Sequence, residues 1–244
     1  MSVGKSFSDR RFQRIHLHWD ESSASEVLGV KAQLSASAGG PGQPLKVFDL
    51  GLAGAALERR GLEVQKGQTL EVQFFLPTQK EPILCRAEVV WLGEKSFGLR
   101  FVGLEPKDRL TFNDYLQDQL IGAALTKVDG KFFSADLGCQ FWYHGPKETN
   151  VFLWTEETGV DQGPRYLIHR AEIQLDEDWF FYDRGQFFLS LKGEERTQLE
   201  AVHEPFFRRV IHLLSQVPQQ RGPLGDLLNQ LVESRPQWTQ GGAS

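Results

Sequence analysis

From residue 45 to residue 104 the chain is a succession of short apolar runs, at 45–57, 62–76, 83–92 and 97–104, separated by turns rich in Gly, Pro, Asp and Ser. Within the runs apolar and polar residues tend to alternate, the period of a half-buried strand. A strand of this length buries one face only and needs neighbours, and connections this short join neighbours antiparallel. Two further runs precede them: Ile15-His16-Leu17-His18-Trp19, and residues 27–35 with Val30, Ala32 and Leu34 on one face. Six or so antiparallel strands at 8–15-residue spacing predict a small β-barrel. The stretch Ser35 to Pro44, SASAGGPGQP, is turn or loop, long for a hairpin connection.

Two stretches of this half carry chemistry. Arg10-Arg11-Phe12-Gln13-Arg14 gathers guanidinium groups, planar forks of donors suited to phosphate oxygens and to the O6/N7 edge of guanine. Asp49-Leu50-Gly51-Leu52-Ala53-Gly54 adds a carboxylate, an acceptor for the N1–H and amino group of guanine, and two glycines. Glycine lets a flat base or a phosphate approach the backbone. The same glycines also suit a β-bulge or tight bend, and the arginines a solvated basic lead-in. Together the two stretches are parts for an anionic guanine nucleotide.

In that order they resemble the RxxxR and [D/N]xSxxG motifs of the PilZ domains, bacterial receptors for cyclic di-GMP. Arg10 and Arg14 meet the first motif. Asp49 and Gly54 meet the second, with Gly51 at the serine position. Downstream, Gly67, the run from Leu70 to Pro77, Val89-Val90-Trp91 and Gly98-Leu99-Arg100-Phe101 look like later strands of that family, so the resemblance covers roughly residues 7–118. It implies a small antiparallel β-barrel with a C-terminal helix. It also implies cyclic di-GMP as the ligand, held by Arg10, Arg14, Asp49, Gly51 and Gly54, with Arg11 as a helper by position and type. A missing serine hydroxyl costs roughly 0.5–3 kcal/mol of binding, a factor of a few to about a hundred in affinity.

At 244 residues the chain suits two domains. The expected division is 1–125, a PilZ-like barrel with its helix; 126–220, an α+β domain with an antiparallel sheet and a long helix; and 221–244, a short helix and flexible tail. The fold class is α+β overall. A helix is predicted from Glu105-Pro106 onward, with Leu110, Leu116, Leu120 and Ala124 at helical spacing and Ile121 and Leu125 beside them.

The second half resembles no family. Strands are predicted at 132–135, 140–143, 150–155, 165–174, 178–182 and 186–191, with Asp183-Arg184-Gly185 as a hairpin turn and 156–164 as a polar loop. Residues 194–217 read as one long helix kinked at Pro205, with Leu199, Val202, Phe206, Val210, Leu213 and Val217 as its stripe. Residues 224–232 read as a short amphipathic helix, and Trp238 to Ser244 as a tail.

Charge is unevenly divided. The first 125 residues carry 15 basic and 15 acidic side chains and the remainder 12 and 17, giving the net −5. An acidic second half argues against nucleic acid or an anionic membrane there and favours a protein partner. The aromatic runs Phe141-Trp142-Tyr143, Trp179-Phe180-Phe181-Tyr182 and Phe187-Phe188 exceed what one core face needs, and the predicted partner surface lies among them.

No GxSxG, HExxH or GxxxxGK motif is present, and His144, His169, His203 and His212 are scattered, so no catalytic residue and no enzyme is predicted. His16 and His18 share a strand face with only Asp20 near as a further ligand, and no metal or cofactor is expected. Cys85 and Cys139 form no CxxC and read as reduced and buried. With no apolar core in residues 2–20 and no run near the ~20 apolar residues of a membrane span, the expected location is the cytoplasm. The whole reading is a cyclic di-GMP receptor in motility or surface-associated behaviour. The alternative is a degenerate PilZ adaptor that binds no nucleotide and works through protein contacts alone.

Overall fold

The computed structural model describes residues 14–16 (as backbone), 30–34, 44–133, 137–158, 164–217 and 222–234. The chain divides into two compact units, the first ending at Leu116 and the second beginning at Gln117.

In the first unit seven strands are described: β1 (Arg14–His16), β2 (Lys31–Leu34), β3 (Leu45–Gly51), β4 (Gly54–Glu58), β5 (Thr69–Phe75), β6 (Ile83–Leu92) and β7 (Ser96–Gly103). Six of them close in the order β3-β2-β5-β6-β7-β4, because β4 pairs back onto β3, and every pairing is antiparallel. Closure leaves no free edge in the ring. β1 is added to β3 on the edge away from β4. Alternation sets the lining: Val30, Ala32, Leu34, Leu45, Val47, Leu50, Leu57, Val72, Phe74, Ala87, Val89, Phe97 and Leu99 point inward and are buried. Helix α1 (Pro106–Ala123) joins this core through Phe112, Tyr115 and Leu116, with the Phe112 ring 5.5 Å from Phe74 and 5.7 Å from Phe101.

The expected helix stripe is corrected in part. Leu110 is 65% exposed, and Ala124 lies beyond the helix and is exposed. Phe112 and Tyr115 hold the buried face instead, and the last turns bury two polar residues, Asp118 and Gln119. An aromatic face with buried polar residues carries little of the aliphatic periodicity by which a helix is read.

In the second unit seven strands run as an antiparallel meander, β8 (Thr126–Lys127), β9 (Phe141–His144), β10 (Asn150–Thr158), β11 (Arg165–Leu175), β12 (Asp178–Asp183), β13 (Gln186–Ser190) and β14 (Thr197–Gln198), each beside the next. The β12–β13 turn has Arg184 at φ 46° and Gly185 at φ 86°, the two positive values of a type I′ hairpin. One face of the sheet, with Val151, Leu153, Ile173, Phe180 and Leu189, is buried. Helix α2 (Glu204–Ser215) packs there, its Phe207 ring 5.9 Å from Phe180 and 5.5 Å from Phe187. Helix α3 (Pro223–Glu233) lies along β11, beyond the end of its pairing with β12. Its Asp226 Oδ2 accepts from the Tyr166 N–H at 2.9 Å and its Gln230 Oε1 from the Ile168 N–H at 3.3 Å, so two side chains one helical turn apart stand in for a missing strand.

Three expectations for this half are overturned. Phe132 belongs to a one-turn 3₁₀ segment, Gly130–Phe132, begun by the Asp129 carboxylate, and is 71% exposed instead of starting a strand. β10 runs on to Thr158, into what reads as loop. Residues 194–217 are not one helix. β14 and a 3₁₀ turn (Ala201–His203) come first, Val202 is 73% exposed, and the helix starts at Glu204 with Pro205 in its first turn. A proline there lacks only an N–H that has no helical partner, so Pro205 opens the helix instead of bending it.

Candidate functional site

The predicted motif Asp49 to Gly54 is a hairpin. Gly51 pairs with Gly54 across the two-residue turn Leu52-Ala53, and the Phe101 N–H donates to the Ala53 carbonyl at 2.9 Å. Which way Asp49 faces follows from a register shift. Leu45 and Val47 point into the barrel, so strict alternation would send residue 49 inward too. A bulge between Val47 and Asp49 shifts the phase by one. Phe48, the extra residue, is 37% exposed; Leu50 takes the inward position at 0% exposure; and Asp49 moves to the outer side opposite Ala56. It remains only 8% exposed there.

β1 reaches this point. Its register sets the Arg14 Cα opposite Gly51 and the His16 Cα opposite Asp49. The second arginine of the RxxxR pattern is therefore on the strand next to the Asp49–Gly51 segment. Arg10 and Arg11 lie outside the described residues, as do His18 and Asp20.

Each glycine has its own cause. A Cβ on Gly54 would stand 2.0 Å from the Leu99 carbonyl oxygen, so close packing of β4 on β7 demands glycine there. The outcome is a buried strip on the outer side of β3 and β4, Gly51, Gly54 and Ala56, that carries at most a methyl group, beside Asp49. Two residues quoted in the sequence only as strand members flank it. Arg100 is the ladder partner of Gly54, and its Nη2 donates to Glu88 Oε2 at 2.5 Å. Trp91 is the partner of Gly98, reached through a second bulge between Val89 and Trp91 that turns its ring outward. Their visible signal is a large or charged residue at an outward position beside glycines.

Elsewhere among the described residues titratable groups meet as ion pairs, such as Arg209 with Asp118 and Asp176. His169 Nε2 is 3.3 Å from Glu156, both exposed, and His144 Nδ1 is 3.0 Å from Asn150 Oδ1. Among the described residues no three His, Cys, Asp or Glu side chains gather as metal ligands. Cys85 and Cys139 are free and buried. Burial, and secondarily Asp108, pushes the Cys85 thiol up to about 12, away from the thiolate a nucleophile needs. Among the described residues no helix is long and apolar enough to cross a membrane.

A family model, the PilZ domain, matches residues 8–118. No curated protein matches the chain. Among solved structures it is similar to the Bacillus subtilis inhibitor of motility MotI/DgrA, with 18% identity over 46% of this chain and 51% of that one, at a TM-score of 0.36. It is also similar to Escherichia coli YcgR in complex with c-di-GMP, with 17% identity over 45% of each chain and a TM-score of 0.34. An uncharacterised Legionella protein matches at 11% identity over 43% of this chain and 90% of its own, at a TM-score of 0.30. The matches thus span about half the length of the first two.

Proposed function

Because residues 8–118 are a PilZ domain, we propose that the chain is a receptor for cyclic di-GMP that regulates a protein partner in motility or surface-associated behaviour. The observation that carries this reading is the β1–β3 register, which brings Arg14 beside Gly51 next to an Asp49 turned out of the core by the bulge at Phe48. The barrel supplies the site, and the ligand draws Arg10, Arg11 and Arg14 against the Asp49–Gly54 hairpin. Guanidinium forks take the phosphates and guanine edges, Asp49 takes the guanine donors, and the bare backbone at Gly51 and Gly54 admits a flat base. Ordering that segment changes domain packing and hence what the acidic, aromatic-rich second unit presents to its partner. The domains of this reading are 1–125, 126–220 and 221–244, and no step in it requires catalysis.

Equilibrium titration of the full chain with cyclic di-GMP, against cyclic di-AMP and GTP as controls, tests it. Selective binding of cyclic di-GMP, lost in Arg14→Ala and in Asp49→Ala, is the expected result. Absence of binding by the wild type would favour the second reading, the nucleotide-free adaptor, which Gly51 in place of the family serine supports.

A further inference from the structure

The outer side of the second sheet carries a line of rings that the nucleotide reading leaves unused. Phe152 on β10 and Trp179 and Phe181 on β12 alternate with the buried Val151, Leu153 and Phe180, so they share the face turned away from α2. Trp142, the β9 ladder partner of Phe152, extends the line by one strand, and Phe188, the β13 partner of Phe181, by another. From Trp142 through Phe152 and Trp179 to Phe181 the ring planes differ by 23°, 10° and 13°, with centroids 5.6, 6.4 and 6.1 Å apart. Near-parallel rings at such spacings are offset stacks, each covering part of the next. Phe152 and Trp179 meet although β11 separates their strands, which makes the line a continuous ridge. Its polar neighbours are already paired. Trp142 Nε1 donates to Asn150 Oδ1 at 3.0 Å, Asn150 Nδ2 to Gln174 Oε1 at 2.9 Å, and Gln174 Nε2 to the Asp176 carbonyl at 3.1 Å. Arg170 Nε donates to Glu172 Oε1 at 3.0 Å. Arg196 is different. Its exposed guanidinium lies 4.5 Å from the Phe181 ring centroid and 4.2 Å from that of Phe188, and among the described residues no carboxylate is within ion-pair reach of it.

We propose that this ridge docks the protein partner, which lays an apolar segment along the rings and sets one carboxylate against Arg196; this rests on the partner half of the reading above and not on the nucleotide site. The chemistry on offer selects the occupant. With the amide and indole groups spent on one another, the ridge presents apolar area and the guanidinium of Arg196. A sugar or a base is oriented by hydrogen-bonding groups, and a phosphodiester chain is held by several cations. An apolar protein segment needs neither. Aromatic residues and arginine are the usual anchors of protein interfaces. Stacking holds the Arg196 guanidinium flat in advance, so little side-chain freedom is lost when its N–H edge takes a carboxylate. Glu194 and Glu195 precede Arg196 and are exposed. They repel an acidic run, so a single carboxylate is what the charge there admits. A second copy of the chain is the weaker occupant, because a two-fold axis along the ridge sets Arg196 against Arg196.

Photocrosslinking of the full chain in cells of its source organism tests this. The photoreactive residue p-benzoylphenylalanine replaces Gln198, the exposed ladder partner of Phe188, and in a control replaces Leu110, exposed on α1. Mass spectrometry identifies the crosslinked segment, which is then synthesised and titrated into the full chain. The expected result is one apolar segment with a carboxylate, bound about tenfold or more weakly by Arg196→Glu and by Phe152→Ala at a temperature where both are folded. Exchange of the segment's carboxylate for lysine restores binding to Arg196→Glu. No crosslink beyond the Leu110 control, a crosslink to another copy of this chain, or a segment whose affinity stays within about twofold of wild type in either variant each overturns the proposal. A wild type that docks the segment and binds no cyclic di-GMP leaves the ridge standing and removes the receptor reading alone.

Discussion

The barrel and the second sheet are both antiparallel, and both turn one alternating face inward, yet they treat their outward faces in opposite ways. The barrel strips the face around its hairpin to Gly51, Gly54 and Ala56. The sheet fills its outer face with rings. Trp142 stacks on Phe152 at 5.6 Å, Phe152 on Trp179 at 6.4 Å and Trp179 on Phe181 at 6.1 Å, while the Arg196 guanidinium stands 4.5 Å from the Phe181 ring and 4.2 Å from Phe188. Those rings are half-buried by one another and by their cations. The rings cover one another, whereas the barrel strip is buried and offers only backbone and a methyl group, the reason it is proposed for a flat ligand and the aromatic face for protein.

The largest test of this division is in the two cores. Phe112→Ala removes a wholly buried ring from the barrel and Phe180→Ala one from the second unit, and each should cost about 3–5 kcal/mol in denaturant unfolding. Measured at a temperature where both remain folded, Phe180→Ala should leave nucleotide affinity near wild type. A large loss of affinity in Phe180→Ala would break the assignment of binding to the barrel alone.

Next in size is the charge buried in the second unit. The Asp118 carboxylate, 5% exposed, takes the Arg209 Nε at 3.0 and 2.9 Å on its two oxygens, and Asp176 stands 3.9 Å from the same guanidinium. Removing one member of a buried pair strands the other. Arg209 is 30% exposed and keeps Asp176, so Asp118→Ala should cost about 2–3 kcal/mol, below the full range for a buried pair. The urea midpoint reads this directly. A loss as small as that of an exposed pair would refute the buried role.

How much of this could be read from the chain follows from which physical signals are local. The strand at 83–92, the strand expected at 186–191 and found at 186–190, and the DRG hairpin rest on alternation and turn chemistry, and are visible in the sequence; the order in which the barrel strands pair is not. The two bulges are not, because an extra residue at Phe48 or Val90 is defined by the partner strand. They decide which way Asp49 and Trp91 face. Pro205 carries the same chemistry at a helix start as at a kink, and only the pairing of Thr197 and Gln198 with β13 tells the two apart. Asp118 and Gln119 hid the true face of α1, since their burial depends on Arg209 and Gln216, about ninety residues away. Arg100 and Trp91 are legible as barrel strand, but their alignment with Gly54 and Gly98 exists only once the barrel closes.

A smaller effect separates the units by pH. Burial raises the Cys85 thiol to about 12 in the barrel. In the second unit burial, then Tyr166, raises the Tyr143 hydroxyl to about 12. Both groups are held protonated by folding. Their contribution is complete below the unfolded values, near 8.5 for a thiol and 10 for a tyrosine, and is lost as pH rises toward about 12. Each costs about 1.4 kcal/mol per pH unit once its unfolded form ionises. Unfolding free energies from urea titrations at pH 8, 9 and 10 should fall by about 1.5 kcal/mol over the last step. Cys85→Ala should flatten that slope, and an unchanged slope would refute its share.

The smallest effect is the sharpest contrast with Asp118. Glu88 and Arg100 make the same kind of ion pair as Asp118 and Arg209, at 2.5 Å, but at the surface. Glu88→Gln should change stability by less than about 0.5 kcal/mol, since an exposed pair gains little over its separate hydration. Matching urea midpoints for Glu88→Gln and wild type are the expected result, and a loss as large as that of Asp118→Ala would show that exposure does not separate the two pairs.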